Sequence, residues 1–152
     1  WRLNVADTSL HEIPFRVRDT RRVAEPVRFP VNVAPDEFPV RMLRWVRVSP
    51  RGDKVVYQAL GHIYIKNLPD GEPTRLTSQN DHFEFHPSFS RDGQYLVYTT
   101  WNDKSLGQIR ITSLSKKDDQ ENRVITNKPG HYLNPVFSPD GSKVVFQRTG
   151  GG

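Results

Sequence analysis

The chain contains no cysteine, which excludes disulfides, thiolate catalysis and cysteine-ligated zinc sites. No apolar run approaches the roughly 20 residues that a membrane-spanning helix requires. A sustained helical stripe of apolar residues is also missing. The apolar runs are short, rich in Val, Ile, Phe, Tyr and Trp, and separated by 12 prolines and 10 glycines. The sequence therefore predicts an all-β protein.

Lysine is absent before Lys54, so arginine supplies all the earlier positive charge of a chain whose formal net charge is +5. Acidic residues are interspersed among these arginines, and we interpret them together as a solvated, ion-paired surface. The alternative is an anionic partner such as nucleic acid, for which Arg44, Trp45 and Arg47 offer stacking and charge. Since no lysine-rich stripe or known nucleic-acid motif accompanies them, nucleic-acid binding is the least favoured function.

One turn signature, followed by an apolar strand, occurs three times. The copies are Ser49-Pro50-Arg51-Gly52, Ser90-Arg91-Asp92-Gly93 and Ser138-Pro139-Asp140-Gly141. Each has an aromatic residue eight positions after its serine, and the serines are 41 and 48 residues apart. Repeats of this length are typical of four-stranded propeller blades. The serine hydroxyls can cap local amides, and glycine suits the fourth turn position. We therefore assign structural roles to Ser49, Gly52, Ser90, Asp92, Gly93, Ser138, Pro139, Asp140 and Gly141.

The repeat divides the chain into blades of antiparallel strands. Residues 41–77 and 84–126 each predict a whole blade, and residues 133–148 predict strands A and B of a further blade. Residues 1–15 match strands C and D of a preceding blade. The Pro- and Arg-rich residues 16–40 predict an extended insertion, and residues 149–152 a flexible glycine-rich end. The charged stretch 116–121 predicts an exposed hairpin tip.

Two whole blades and two half blades cannot close a ring, because propellers have four to eight blades. We expect the chain to be a piece of a longer protein that supplies the remaining blades. There are two alternatives. Either the chain is one part of a larger assembly, or two copies of it pair about a two-fold axis to give six blades. Self-association through the open blade edges is also expected, since unpaired strands attract further strands.

The Ser-Pro-Asp-Gly-x-x-Val-Val-Phe pattern resembles the TolB-type propeller repeat, which is also found in tricorn protease and in relatives of prolyl oligopeptidases. The chain also resembles a narrower group of exported proteins, in which a TolB-like propeller precedes an amidohydrolase domain. The resemblance lies in residues 1–5, 59–64, 68–71, 75–77 and 98–103. This resemblance implies a bacterial, periplasmic or otherwise exported parent with a metal-dependent hydrolase domain. The paired metal-binding histidines of that group belong to the hydrolase domain. No His-x-His occurs in this chain.

Candidate binding residues lie on the innermost strands, which line the channel of a propeller. They are Arg44, Trp45, Arg47, His86 and Asn134. His86 and Asn134 occupy the same slot of the repeat, each directly before a proline. We expect them to form a surface for a ligand or a protein partner.

No catalytic, metal or cofactor site is predicted. His82 and His86 would lie about 13 Å apart on one face of a strand, too far for one metal ion. No Gly-x-Ser-x-Gly elbow and no glycine-rich phosphate loop occurs. We therefore expect a non-catalytic scaffold, partner-docking or access-gating segment of a larger amidohydrolase-like protein. The alternative is a segment that contributes substrate-binding residues to a hydrolase active site at a domain interface.

Overall fold

The computed structural model describes residues 1–115 and 122–150, and all regular structure in these residues is β-strand. The predicted hairpin tip at 116–121 and the last two residues of the predicted flexible end lie outside this range. No helix that could span a membrane occurs in the described part of the chain. Residues 1–37 and 38–152 form two separate units. The all-β prediction is confirmed.

The first unit contains one antiparallel hairpin, made of β1 (Arg2–Leu3) and β2 (Leu10–His11). Arg2 lies opposite His11, and 63 positions later in the chain Ile65 lies opposite Thr74. The hairpin thus has the register of the last two strands of the first whole blade. No strand or helix occurs between His11 and Arg44. The assignments of residues 1–15 and 16–40 stay predictions.

Within its described residues, 38–115 and 122–150, the second unit contains two four-stranded antiparallel sheets and one two-stranded sheet. The first blade consists of β3 (Arg44–Val48), β4 (Lys54–Ala59), β5 (His62–Asn67) and β6 (Thr74–Arg75). The second consists of β7 (Phe83–Phe89), β8 (Tyr95–Trp101), β9 (Gln108–Ser113) and β10 (Arg123–Val124). A final hairpin consists of β11 (His131–Phe137) and β12 (Val144–Thr149). In each sheet the strands are neighbours in chain order.

The three predicted turns share one geometry. The amide of the fourth-position glycine donates to the serine carbonyl, at 2.9–3.0 Å, and Gly52, Gly93 and Gly141 all have φ near 73°. Each serine hydroxyl accepts a hydrogen bond from the amide five residues later, at 2.9–3.0 Å, and donates one to an aspartate. In the last copy the hydroxyls of Ser138 and Ser142 lower the pKa of Asp140 to about 2.

The first turn obtains its aspartate from a different position. Arg51 stands where the other copies have Asp92 and Asp140, yet the Ser49 hydroxyl donates to Asp53 Oδ1 at 2.7 Å. The carboxylate therefore reaches the same hydroxyl from two residues further along the turn. The chemical role of the aspartate is kept although its place in the motif is not.

The hydrophobic core lies between the sheets. One cluster joins Val56 and Ile63 of the first blade to Leu96 and Tyr98 of the second. Another joins Val97 and Ile109 of the second blade to Tyr132 of β11. Because successive residues of a strand point to opposite faces, β8 contributes side chains to both clusters, and it is buried from Leu96 to Thr100. The second blade is thus covered on both faces by neighbouring sheets.

Glu84 links the first two blades through a fully buried side chain. Its Oε2 accepts the amide hydrogen of Ile63 at 2.8 Å, and its Oε1 accepts from Gln79 Nε2 at 2.7 Å and from the Thr77 hydroxyl. Its own amide donates to the Gly61 carbonyl at 2.9 Å. This last bond and the pairing of Phe83 with Trp101 start β7 at Phe83, two residues before the first strand that the sequence predicts for this blade, Phe85–Phe89.

We predict that Glu84→Ala lowers the free energy of unfolding by about 3 kcal/mol, because it leaves a buried amide without an acceptor. Glu84→Gln should cost less, since its carbonyl can still accept from Ile63. Urea unfolding followed by tryptophan fluorescence measures both. The control is Glu72→Ala, at an exposed position. Equal stability of Glu84→Ala and this control would contradict the assigned role.

The turns yield a second prediction. Ser90 is buried, so Ser90→Ala should lower the free energy of unfolding by about 1–2 kcal/mol through loss of its bonds to Tyr95 and Asp92. In the first turn, Asp53→Ala should destabilise the chain while Arg51→Ala should not. Urea midpoints of the three variants test this. Destabilisation by Arg51→Ala rather than Asp53→Ala would show that the motif position matters more than the hydrogen bond.

Candidate functional site

The first strand of each blade carries the same irregularity. The pairing register shifts between Arg44 and Arg47, between Phe85 and Ser88, and between Leu133 and Val136. Within these bulges Trp45, His86 and Asn134 have φ values of 49°, 51° and 49°. Residues other than glycine rarely adopt this left-handed backbone conformation, because their Cβ atom clashes with the backbone there. Three equivalent bulges therefore turn three different side chains in the same way.

Four of the five predicted binding residues lie around one cavity of about 290 Å³. They are Trp45, Arg47, His86 and Asn134, and Pro87, Ser88, Pro135 and Val136 complete the lining. Arg44 does not line it. Its guanidinium carbon lies 6.0 Å from the centroid of the Trp45 ring, and its Nη2 is 3.7 Å from Met42 Sδ. The four residues make up half of the eight that line the cavity, and the binding role assigned to them stays a prediction.

A larger cavity of about 530 Å³ shares Trp45 and His86 with the first. Its other lining residues are Phe85, Thr99, Thr100, Trp101, His131, Tyr132 and Leu133. The ring centroids of Trp45 and His86 are 4.4 Å apart, and those of Trp101 and His131 are 5.5 Å apart. We call the two cavities together the inner-strand site. Large, mostly apolar cavities with a few polar groups are typical ligand sites.

The orientation of His86 follows from its hydrogen bonds. Its Nδ1 lies 3.1 Å from the hydroxyl oxygen of Thr99, and that hydroxyl donates to the Phe85 carbonyl at 3.3 Å. The hydroxyl proton is thereby used, so Nδ1 carries the hydrogen of the neutral ring and Nε2 is the acceptor. Burial, and the nearby charge when His131 is protonated, lower the pKa of His86. The site thus contains an imidazole acceptor beside aromatic rings.

The polar groups of the chain divide between the turns and the inner-strand site. The repeat serines lie in the turns, where each hydroxyl donates to an aspartate and not to a general base. Within residues 1–115 and 122–150, no group of three or more His, Asp or Glu side chains is arranged to hold a metal ion. The inner-strand site offers aromatic surface, amide and imidazole groups, and the cation of Arg47.

Most residues that line the inner-strand site were not predicted from the sequence. Thr99 and Trp101 come from β8, the second strand of its blade, and His131 and Tyr132 precede the predicted start of β11. A signal was present in the repeat, because aligning His86 with Asn134 also aligns Phe83 with His131. That alignment predicts strands that begin two residues earlier.

Comparisons with known proteins support this architecture. No family model matches the chain. The TolB protein of the Tol-Pal system from Francisella tularensis subsp. mediasiatica is 33% identical over 109 residues, which cover 72% of this chain and 24% of the relative. The corresponding protein of subsp. holarctica strain OSU18 is 29% identical over 112 residues, with the same shares. The crystal structure of TolB from Acinetobacter baumannii matches with a TM-score of 0.54 and 25% identity, over 71% of this chain and 26% of that chain.

This chain is a segment of a TolB-like β-propeller. It spans about a quarter of the length of the curated relatives that it matches. The predicted fold class, a propeller segment of four-stranded antiparallel blades, is confirmed. As expected for the innermost strands of a propeller, β3 contacts β7, and β7 contacts β11. In this TolB-like segment the three bulges therefore lie side by side.

A pH prediction follows from His86. Its pKa is lowered on folding, so the unfolded chain binds a proton more readily and stability falls as the pH drops below about 6.5. We predict that His86→Asn reduces the loss of unfolding free energy between about pH 7 and about pH 5. Asparagine suits this backbone, as Asn134 shows at the equivalent position.

Urea unfolding at both pH values measures the effect, with Arg91→Ala, an exposed turn residue, as the control that should retain the wild-type dependence. If His86→Asn lost as much stability on acidification as the wild type, burial of this imidazole would not be a source of acid sensitivity.

Proposed function

We propose that the chain is a non-catalytic segment of a larger exported protein and that its inner-strand site docks a neighbouring domain. The observation that carries this proposal is the triple left-handed bulge at Trp45, His86 and Asn134. Backbone strain of this kind persists where the surrounding structure enforces it, and it clusters at binding and active sites. Here it occurs at equivalent positions of adjacent strands and turns three side chains towards one cavity.

The cost of the bulges supports a functional reading. A left-handed conformation costs roughly 1–2 kcal/mol per non-glycine residue. Glycine would avoid this cost and is used at the left-handed positions Gly52, Gly93 and Gly141 of the turns. The bulges instead carry an indole, an imidazole and an amide, which are groups with recognition chemistry.

The domain that we propose as the occupant is a hydrolase of the same parent chain. The support is the resemblance of residues 59–64 and 98–103 to exported proteins in which a TolB-like propeller precedes an amidohydrolase. The other partners would be the remaining blades of the ring. The curated relatives are named as proteins of the Tol-Pal system, and we extend to this chain a periplasmic location and a role within a larger assembly.

A second function is favoured by the acceptor at His86 Nε2. A propeller mouth next to a hydrolase active site can lend hydrogen-bonding groups to the substrate. In that arrangement the inner-strand site determines substrate preference rather than domain association. Both functions leave the bond-breaking chemistry to the other domain.

The test is the double substitution of Trp45→Ala with His86→Ala in the parent protein. Docking predicts that proteases cut the connection between propeller and hydrolase domain about tenfold faster, while kcat and KM for amide substrates stay within about twofold. The substrate-binding function predicts the reverse, a KM raised about tenfold with the connection still protected. Arg91→Ala serves as the matched control, because it lies in a turn outside the inner-strand site.

No change in either measurement would contradict both functions. Hydrolysis of amide substrates by the 152-residue chain alone, abolished by a substitution within it, would overturn the non-catalytic assignment.

A further inference from the structure

A separate cavity of about 410 Å³ lies at the loop end of the first two blades. It is built from the connection between β6 and β7, the connection between β8 and β9, and His62 at the start of β5. The lining residues that carry the argument are Asn80, Asp81, Phe83, Trp101, Asp103 and Lys104. Only Trp101 also lines the inner-strand site.

Two aromatic rings form its apolar part. Phe83 and Trp101 are directly opposite on β7 and β8, so their side chains are neighbours on one face of the sheet. Phe83 is 55% exposed although it is among the most apolar side chains. The Phe83 ring packs directly against Gly61, where any Cβ would lie only 2.5 Å from Phe83 Cδ1. The indole nitrogen of Trp101 donates to Asp103 Oδ1 at 2.8 Å, which fixes the second ring.

Polar groups surround these rings, and each is held through one of its two terminal atoms. Asn80 Oδ1 accepts from Arg75 at 2.9 Å, Asp81 Oδ1 lies 3.1 Å from His82 Nδ1, and Asp103 Oδ1 accepts from Trp101. The second terminal atom of each side chain makes no hydrogen bond to any described residue. The rim of the cavity thus presents one fixed amide donor and two fixed carboxylate acceptors to solvent.

The connection that carries Asn80 and Asp81 is itself fixed. Gln79 Oε1 accepts the amide hydrogens of Asp81 and His82 at 3.0 and 3.2 Å, and Gln79 Nε2 donates to the buried Glu84. Asn102 spans the cavity edge by donating from Nδ2 to the Asp81 carbonyl. Binding groups that are held in place before the ligand arrives lose little entropy on binding.

The charges around the cavity disfavour an ionic ligand. Two aspartates line it and would repel an anion, while Lys104 lines it and Arg75 lies behind Asn80, which opposes a cation. A neutral ligand with an apolar face and a rim of hydroxyls satisfies both parts of the lining. The C–H face of a pyranose ring covers an aromatic ring, and its hydroxyls both donate and accept hydrogen bonds.

We propose that this cavity binds a neutral pyranose unit of an oligosaccharide, stacked on Phe83 and Trp101 and hydrogen-bonded to Asn80, Asp81 and Asp103. The proposal is independent of the docking function, since it concerns other loops and another ligand. It gives the segment a carbohydrate-recognition site at one end of its blades.

The test uses the 152-residue chain labelled with ¹⁵N. Cellobiose, maltose and N,N′-diacetylchitobiose are titrated separately to about 10 mM, which resolves a dissociation constant on the order of 1 mM. We expect at least one of them to shift the Trp101 indole resonance and the amide resonances of Asp81 and Phe83, with saturation. Phe83→Ala should weaken that binding about tenfold and Phe83→Tyr should change it by less than about twofold.

Asn80→Ala provides a second variant at an exposed position, where we expect about fivefold weaker binding from the lost amide donor. Choline, a cation that also stacks on aromatic rings, is the competing probe. The proposal is overturned if no sugar shifts these resonances, if choline binds more tightly than every sugar, or if Phe83→Ala and Asn80→Ala both bind as the wild type does.

Discussion

Each four-stranded sheet in this structure has two apolar faces and needs a neighbouring sheet on both. The rest of the structure depends on this packing requirement. A four-stranded sheet of this size cannot bury two apolar faces within itself, so each blade is stable only in a stack. The second blade meets that requirement inside the chain, and its strand β8 is accordingly buried along five successive residues. On β12, by contrast, Val145 and Phe146 are 70% and 41% exposed. Phe146 shares the face of Val144 and contacts Tyr132, whereas Val145 projects from the opposite face, which has no neighbouring sheet among the described residues.

Polar groups add specificity to this stacking. Glu84 is fully buried between two apolar sheets, and each of its hydrogen bonds comes from the preceding blade or from the connection that leads out of it. In the next interface the corresponding residue is Tyr132, whose hydroxyl donates to the Lys128 carbonyl at 2.5 Å. Each side chain projects from the first strand of its own blade and forms hydrogen bonds to the connection that precedes that strand. Because a buried carboxylate without its donors is costly, the hydrogen bonds of Glu84 favour the one placement of the two blades in which those donors reach it.

Much of the fold could be predicted because turn chemistry is local. Ser90, Asp92 and Gly93 determine their turn through contacts within six residues of one another, and those contacts are visible in the sequence. The bulges were found only in part. That His86 and Asn134 share a slot is evident from the following prolines, but Trp45 precedes Val46, and its left-handed backbone depends on pairing with β4. Glu84 and the cavity beside Phe83 depend on contacts between blades, which no single repeat records.

The loop end and the inner strands of the segment are constructed differently. At the inner strands, the backbone is strained and the groups are large and mostly apolar, which suits an extended protein surface. At the loop end, short side chains are fixed through one atom each around two rings, which suits a small polar ligand. Trp101 lines both cavities, and its indole is held by Asp103 on one side while its ring contacts His131 on the other. Among the described residues, Trp101 is the side chain that the two cavities share, so a substitution there changes the lining of both.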